Sequence, residues 1–304
     1  MAQPSKSNNQ RNIQVVGTLI SLGLLGFVLL RQDWQELLRL TAEIPIAVFV
    51  LGIALIVIRV IAHAMRWLIL LRAQQIDLGI TATLRLQWAG LYAGNFLPTS
   101  VGGDVVRLYG VLPASPSRVV AVASIAVDRA LGVIGMLFVL PFSIPLVSSI
   151  FGGAIAGLFL GRQVLMDRVQ SAIDRLKQAL SLWASKPLSL LLALLASFVG
   201  IICFLLAMYA LALALNIPVN FAQVAGATAL TYYIALIPFS INAYGIRELG
   251  VVFFYARLGA TSEQALALAL LSRALFLLVS LPGALLLPQV LGSHGKDGRQ
   301  ISDD

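Results

Sequence analysis

Long apolar runs separated by short polar connectors make up most of this chain. A helix of about 18 or more apolar residues can cross a hydrocarbon core of roughly 30 Å. The pattern therefore predicts an all-α polytopic membrane protein. We predict six membrane-spanning helices, at about 13–30, 44–71, 119–140, 142–161, 187–215 and 264–288.

Two further apolar segments are interrupted near their middle. The first, 84–97, stops at Pro98 and resumes at 105–112, and the second, 221–237, stops at Pro238 and resumes at 246–258. Irregular backbone persists at membrane depth only where it is buried in protein or lines a watery cavity. We interpret both segments as re-entrant broken-helix hairpins.

The connectors divide the chain. Segment 31–43 has helically spaced apolar residues and predicts a helix at the interface, and 162–186 has an amphipathic pattern that predicts an interfacial connector. The predicted organisation is a polar tail at 1–12, one integral membrane domain at 13–290 with halves at about 44–161 and 187–290, and a polar tail at 291–304.

The two interrupted segments resemble each other. Nine residues separate Pro98 from Arg107, and nine separate Pro238 from Arg247; Arg129-Ala130-Leu131 and Arg273-Ala274-Leu275 then follow. A true duplication would place its copies on opposite sides of the membrane, as an inverted repeat. Inverted repeats with discontinuous helices build midplane binding sites in many transporters. Chance similarity is the alternative.

Such a repeat would bring polar side chains together. The helix N-termini near Val105 and Ile246 would direct positive dipole ends into one cavity. Arginines from both halves would then form a cationic pocket suited to phosphate. The candidate substrate-binding residues are Arg66, Asn95, Asp104, Arg107, Arg129, Arg247, Glu248 and Arg273.

Each candidate also has a plainer interpretation. An arginine near a helix end can extend to the interface, Asp128–Arg129 can be a neutral structural pair, and Asp104 can cap a helix. Glu248 can pair with Arg247 or carry a proton. Arg59, His63 and Arg66 share one helical face, either as a phosphate ladder or as an ordinary end-of-helix cluster.

Charge and composition narrow the function. Only 11% of residues are charged, and Lys and Arg (21) exceed Asp and Glu (13). In a membrane protein this excess indicates cytoplasmic loops and anionic lipid rather than nucleic acid. The positions of the positive charges predict a multi-pass protein with both termini cytoplasmic. No catalytic, nucleotide-binding or metal-binding motif appears, so we expect neither an enzyme nor a cofactor.

The order of short motifs resembles a known family. The motifs are Arg66-Trp67, Asn95-Phe96-Leu97-Pro98, Gly102-Gly103-Asp104, Arg107, Asp128-Arg129 and Pro238…Gly245-Ile246-Arg247-Glu248. Over about 13–290 the chain resembles the flippase-like family, also called the lysylphosphatidylglycerol synthase transmembrane region. Bifunctional members add a soluble aminoacyltransferase domain, and we do not expect this 304-residue chain to synthesise lysyl-lipid.

The resemblance implies translocation of a lipid or lipid-linked head group across the bacterial inner membrane. The implied partners are a membrane lipid or polyprenyl-linked substrate, and a glycosyltransferase or lipid-biosynthesis enzyme. Two alternatives stay open: a membrane accessory protein that binds an enzyme of a polyprenyl-phosphate or hopanoid pathway, and a small-anion transporter.

Overall fold

The computed structural model describes residues 34–96, 102–151, 181–183, 185–236 and 245–292. Every regular element within these ranges is helical, which confirms the all-α prediction. The α-helices are α1 (Trp34–Ala42), α2 (Ile46–Ala73), α3 (Ile80–Phe96), α4 (Gly102–Val111), α5 (Arg118–Leu137), α6 (Ile144–Phe151), α7 (Pro187–Ala214), α8 (Phe221–Leu236), α9 (Ile246–Arg257), α10 (Ser262–Ser280) and α11 (Pro282–Gly292).

Four of these helices are long and apolar enough to cross a membrane: α2, α5, α7 and α10. The chain is a multi-pass membrane protein. Both interrupted segments are helix pairs, α3 with α4 and α8 with α9, as the proline positions predict. The predicted span at 13–30, most of the connector at 162–186 and the residues at both breaks lie outside the described ranges. The orientation of the termini stays a prediction.

The predicted sixth span is wrong as a single helix. The structure divides it at Leu281 into α10 and α11. Pro282 has no N–H to donate, and its ring would clash with the carbonyl of Leu278 in a continuous helix. The preceding N–H, that of Leu281, donates to the Leu278 carbonyl instead, at 3.2 Å. After this break α11 packs beside α3.

The two halves repeat the same series of helices. Helices α2, α3, α4 and α5 have 28, 17, 10 and 20 residues. Helices α7, α8, α9 and α10 have 28, 16, 12 and 19. A duplication explains this agreement, and the inverted orientation of its copies stays a prediction.

The turns after the two longest helices confirm the correspondence. Gln75 (φ 59°) and Asn216 (φ 55°) both adopt the left-handed conformation two residues after their helix ends. The next residue in each turn donates its N–H to a carbonyl of the last helical turn, Ile76 to Leu71 and Ile217 to Ala212, each at 3.0 Å. Both turns therefore end a helix by the same left-handed C-terminal geometry.

Where α2 crosses α7, two contacts between the halves are reciprocal. The Arg59 guanidinium lies 4.5 Å from the ring centre of Phe204. A Cβ added at Gly200 would lie 2.8 Å from the His63 ring. Helices α2 and α7 begin at Ile46 and Pro187. Aligning these first residues pairs Arg59 with Gly200 and His63 with Phe204. Replacing each residue by its counterpart turns the Arg59–Phe204 contact into the Gly200–His63 contact. A two-fold relation between the halves requires this reciprocity.

Glycines allow α3 and α4 to pack closely behind the charged residues of the first half. A Cβ added at Gly103 would overlap the Gly90 carbonyl oxygen, and one added at Gly90 would crowd the Arg107 side chain at 3.0 Å. Neither obstacle can move aside easily, because one is backbone and the other is the buried Arg107 side chain. The close approach fixes where α4 presents Asp104 and Arg107.

Gly103→Ala should therefore lower stability by about 1–3 kcal/mol, the usual range for overpacking. The measurement is the apparent melting temperature of the purified protein in detergent. Gly79→Ala is the matched control, because a Cβ there meets nothing within 4 Å. Equal melting temperatures for the two variants would contradict the close α3–α4 contact.

Candidate functional site

Asp128 on α5 lies at the centre of a buried ion-pair network. Its Oδ1 accepts a hydrogen bond from Arg66 Nε at 2.6 Å, and its Oδ2 accepts one from Arg107 Nη2 at 2.9 Å. Arg66 also donates to the Ser197 hydroxyl at 3.1 Å. All three charged residues are at least nine-tenths buried. One carboxylate thus joins α2, α4 and α5.

The network continues through Asp104 to the surface. Asp104 accepts a hydrogen bond from Arg129 Nε and lies 3.6 Å from Arg107 Nη1. The Arg107 guanidinium also stacks 4.2 Å from the Trp67 ring centre. Arg129 is the outermost member, with 54% of its side chain exposed. The interpretation of Asp128 and Arg129 as each other's partner is wrong, because each pairs with a different residue.

In the described part of the second half, Glu248 and Arg273 form a comparable pair. Glu248 accepts the Gly245 N–H at 2.9 Å, which caps α9, and its other oxygen lies 4.0 Å from Arg273 Nε. Asp104 and Arg129 are 25 positions apart, and Glu248 and Arg273 have the same separation. This spacing makes Asp104 the counterpart of Glu248. Matching Arg107 with Arg247 in the repeat is therefore wrong.

A cavity of about 200 Å³, called lobe A, lies in the second half. Helices α2, α7, α8, α9 and α10 form its walls. Arg59 and Arg247 line it beside apolar and aromatic side chains that include Phe204, Tyr232 and Phe276. Among the residues that the structure describes, the lining contains no acidic side chain.

A second cavity of about 150 Å³, called lobe B, adjoins lobe A. Arg59 and Tyr232 line both lobes, so these two side chains stand between them. Lobe B adds His63, Arg66 and Arg129, and no acidic residue appears in its lining within the described ranges. The two lobes together present four arginines from both halves of the chain.

These four arginines differ in how their charge is balanced. Arg66 pairs with Asp128 and Arg129 pairs with Asp104. Neither carboxylate is in the lining of a lobe. Among the described residues, Arg59 and Arg247 have no carboxylate within 4 Å. Both instead lie over the same two rings: Arg59 is 4.5 Å from Phe204 and 5.3 Å from Phe276, and Arg247 is 5.7 Å and 4.9 Å from them. Two cations thus share one aromatic pair.

The structure brings only some of the predicted site residues to the cavity. Arg66, Arg129 and Arg247 line it. Asn95, Asp104, Arg107, Glu248 and Arg273 are not in the lining of either lobe. The N-terminus of α9 reaches lobe A through Arg247, whereas no residue of α4 lines a lobe.

Sequence reasoning left Arg59 and Tyr232 out of the site. The spacing of Arg59, His63 and Arg66 along one helical face was the available signal, and all three line lobe B. The spacing alone did not show which arginine lacks a carboxylate, because the partners come from distant helices.

The family model described as "Lysylphosphatidylglycerol synthase TM region" matches residues 14–283. The chain belongs to this family. Membership confirms the resemblance of the short motifs and ties the protein to lipid metabolism or lipid translocation in a membrane. No curated protein and no solved structure matches the chain. The roles of individual residues in this family member therefore rest on its own geometry.

Asp128→Asn should destabilise this family member by about 3–5 kcal/mol, since it leaves buried arginine charge uncompensated. The apparent melting temperature in detergent measures the loss. Glu36→Gln, which removes one end of an exposed pair with Arg39, is the control and should cost less than about 1 kcal/mol.

Adding Arg66→Met to Asp128→Asn should recover part of that loss, because one of the two stranded cations is removed. A double variant less stable than Asp128→Asn alone would contradict the assignment of Arg66 as a partner of Asp128.

Proposed function

We propose that this protein binds the anionic head group of a lipid or lipid-linked molecule in lobes A and B and translocates it across the bilayer. The observation that carries the proposal is the pair Arg59 and Arg247, two guanidinium groups over one aromatic pair with no carboxylate within 4 Å among the described residues. The proposed role is non-enzymatic.

Electrostatics favours an anionic ligand at this pair. A charge at the centre of a membrane helix costs roughly 2.5–3.5 kcal/mol on insertion scales. Two like charges near the same rings also repel each other, and the surrounding helices exclude most water. A phosphate between Arg59 and Arg247 would reduce both penalties. Guanidinium suits phosphate because its planar fork can bond two oxygens.

The surroundings favour a lipid over a free ion. The outer faces of α2 and α7 carry large exposed apolar side chains, such as Val50, Ile58, Leu195 and Ile202, as a surface in contact with lipid does. The family also ties the chain to lipid chemistry. A head group could pass between the lobes beside Arg59 and Tyr232 while its tails stay in hydrocarbon.

The test is leaflet exchange in proteoliposomes. A fluorescent phosphatidylglycerol is placed in both leaflets, and a membrane-impermeant quencher reports exchange. Arg59→Gln and Arg247→Gln should each slow exchange at least about tenfold, since a hydrogen bond to a charged group contributes about 1.5–3 kcal/mol. The matched controls are Arg72→Gln on α2 and Arg257→Gln on α9, which remove exposed arginines from the same two helices.

Unchanged exchange in both Arg59→Gln and Arg247→Gln would refute the proposal. Arginine-dependent binding of the lipid without exchange would instead favour an accessory protein that presents a lipid to an enzyme. Arginine-dependent uptake of inorganic phosphate without lipid exchange would favour a small-anion transporter.

A further inference from the structure

Two buried hydroxyl groups line lobe A in addition to its arginines. They belong to Thr228 on α8 and Tyr255 on α9. Thr228 is 7% exposed and Tyr255 is 1% exposed. Neither hydroxyl oxygen has a hydrogen-bond partner of good geometry among the described residues. Because a buried hydroxyl without a partner is costly, the pair indicates a ligand that bonds to it.

The two hydroxyls cannot satisfy each other. They are neighbours, but they lie outside the geometry of a full hydrogen bond. If Thr228 donated to Tyr255, the Tyr255 O–H would still require an acceptor outside the pair. The Thr231 hydroxyl, which also lines lobe A, donates to the Ala227 carbonyl of its own helix at 2.8 Å. Thr228 and Tyr255 therefore retain bonding capacity that Thr231 has already used.

The fold does not require a hydroxyl at residue 255. The spacing that makes Asp104 the counterpart of Glu248 makes Val111 the counterpart of Tyr255. Val111 is 0% exposed and lies in an apolar cluster of the first half. An apolar side chain thus suffices to hold the equivalent helix in place. The hydroxyl of Tyr255 is better explained by lobe A than by packing.

The hydroxyls and the arginines lie at different ends of lobe A. On α9, Arg247, Val251 and Tyr255 line the lobe at steps of four residues, along one helical face. Arg247 and Tyr255 are therefore about 12 Å apart along the helix axis. Thr228 neighbours Tyr255, whereas Arg59 lies over the same two rings as Arg247. Lobe A has a cationic end and a hydroxyl end.

The lobe is larger than phosphate alone requires. A single water needs about 10–15 Å³ of such cavity volume, so the 200 Å³ of lobe A holds roughly a dozen water-sized groups, against the five non-hydrogen atoms of phosphate. With phosphate at the two arginines, the rest of a head group has room to extend toward Thr228 and Tyr255.

The chemistry of the hydroxyl end favours hydroxyl groups over an amine. A ligand hydroxyl both donates and accepts, as the side chains of Thr228 and Tyr255 do. An ammonium would share the lobe with Arg59 and Arg247, and no acidic side chain in the described lining would offset the three like charges. An apolar group would leave both hydroxyls without partners.

We infer that Thr228 and Tyr255 form a subsite for hydroxyl groups of the head group, so that lobe A selects a polyol phosphate or a sugar phosphate. The inference rests on the proposed function and adds the chemical class of the head group. The phosphate lies at Arg59 and Arg247, and the hydroxyl-bearing part extends along α9 to Tyr255.

The test compares glycerol phosphate with propyl phosphate, which has the same chain length and charge but no hydroxyl groups. Calorimetry on the purified protein in detergent measures the affinity of each. The unsubstituted protein should bind glycerol phosphate at least about tenfold more tightly, because the two ligands differ only in hydrogen bonds to the subsite.

Thr228→Val and Tyr255→Phe remove one hydroxyl each and nearly preserve the shape of the side chain. Each should weaken glycerol phosphate binding about two- to tenfold, the effect of one neutral hydrogen bond. Propyl phosphate should bind as before, because it has no hydroxyl to lose a partner. The matched controls are Thr83→Val on α3 and Tyr209→Phe on α7, which lie outside both lobes and should keep the full preference.

Lipid exchange gives a measurement that needs no variant. Phosphatidylglycerol and phosphatidylpropanol can carry the same chains and have the same charge, and only the first has hydroxyl groups on its head group. In proteoliposomes, fluorescent phosphatidylglycerol should exchange at least about tenfold faster than fluorescent phosphatidylpropanol. A preference among the soluble ligands without one among the lipids would overturn the inference for a lipid and indicate a soluble polyol phosphate.

Equal binding of glycerol phosphate and propyl phosphate would overturn the inference, because the hydroxyl end would then hold only water. Weaker binding of both ligands in Thr228→Val and Tyr255→Phe would also overturn it, since the hydroxyls would then contact the phosphate or maintain the shape of the lobe.

Arg247→Gln tests the proposed function separately. If this variant loses propyl phosphate binding, the cationic end stands even when hydroxyl groups give no preference. If it alters neither the binding of the two ligands nor lipid exchange, the proposed head-group site fails, and the hydroxyl subsite fails with it.

Discussion

The Asp128 carboxylate accepts hydrogen bonds from Arg66 and Arg107, which approach it from α2 and α4. In a protein surrounded by hydrocarbon, either arginine alone would carry a large desolvation penalty. One shared acceptor offsets that penalty for both and fixes the relative positions of α2, α4 and α5. The glycine contact between α3 and α4 then becomes possible, because α4 is already held at the depth at which Arg107 reaches Asp128.

The second half has the same helices without this acceptor. The spacing that relates Asp104 to Glu248 places Ser272 at the position equivalent to Asp128. Ser272 carries no charge, and its hydroxyl donates to the Ala269 carbonyl of its own helix at 2.9 Å. The first half therefore balances Arg66 and Arg107 with Asp128, whereas Arg59 of the same half and Arg247 of the second half face lobe A with no carboxylate within 4 Å among the described residues. This difference in charge, on one duplicated framework, explains why the cationic cavity lies where it does.

Local signals made much of the fold predictable. Hydrophobic length predicted the spans α2, α5 and α7, and prolines predicted both broken helices, because a proline acts on its own helix. The break at Pro282 follows the same rule, but the apolar run across it is long enough to suggest a single span. The site was only partly predictable. Helical spacing grouped Arg59 with Arg66, yet their different roles depend on Asp128, which is distant in the sequence, and no periodicity within α2 contains that information.

Support by aromatic rings suits a site that must release its ligand. A cation above a ring gains about 0.5–2 kcal/mol, depending on how far it is desolvated. A buried carboxylate would hold the same guanidinium more firmly, and an arriving phosphate would then have to compete with it. Phe204 and Phe276 lower the cost of burying Arg59 and Arg247 without occupying their hydrogen-bonding edges. Because the proposed transport would require binding that is favourable but reversible, rings would suit such a site better than carboxylates.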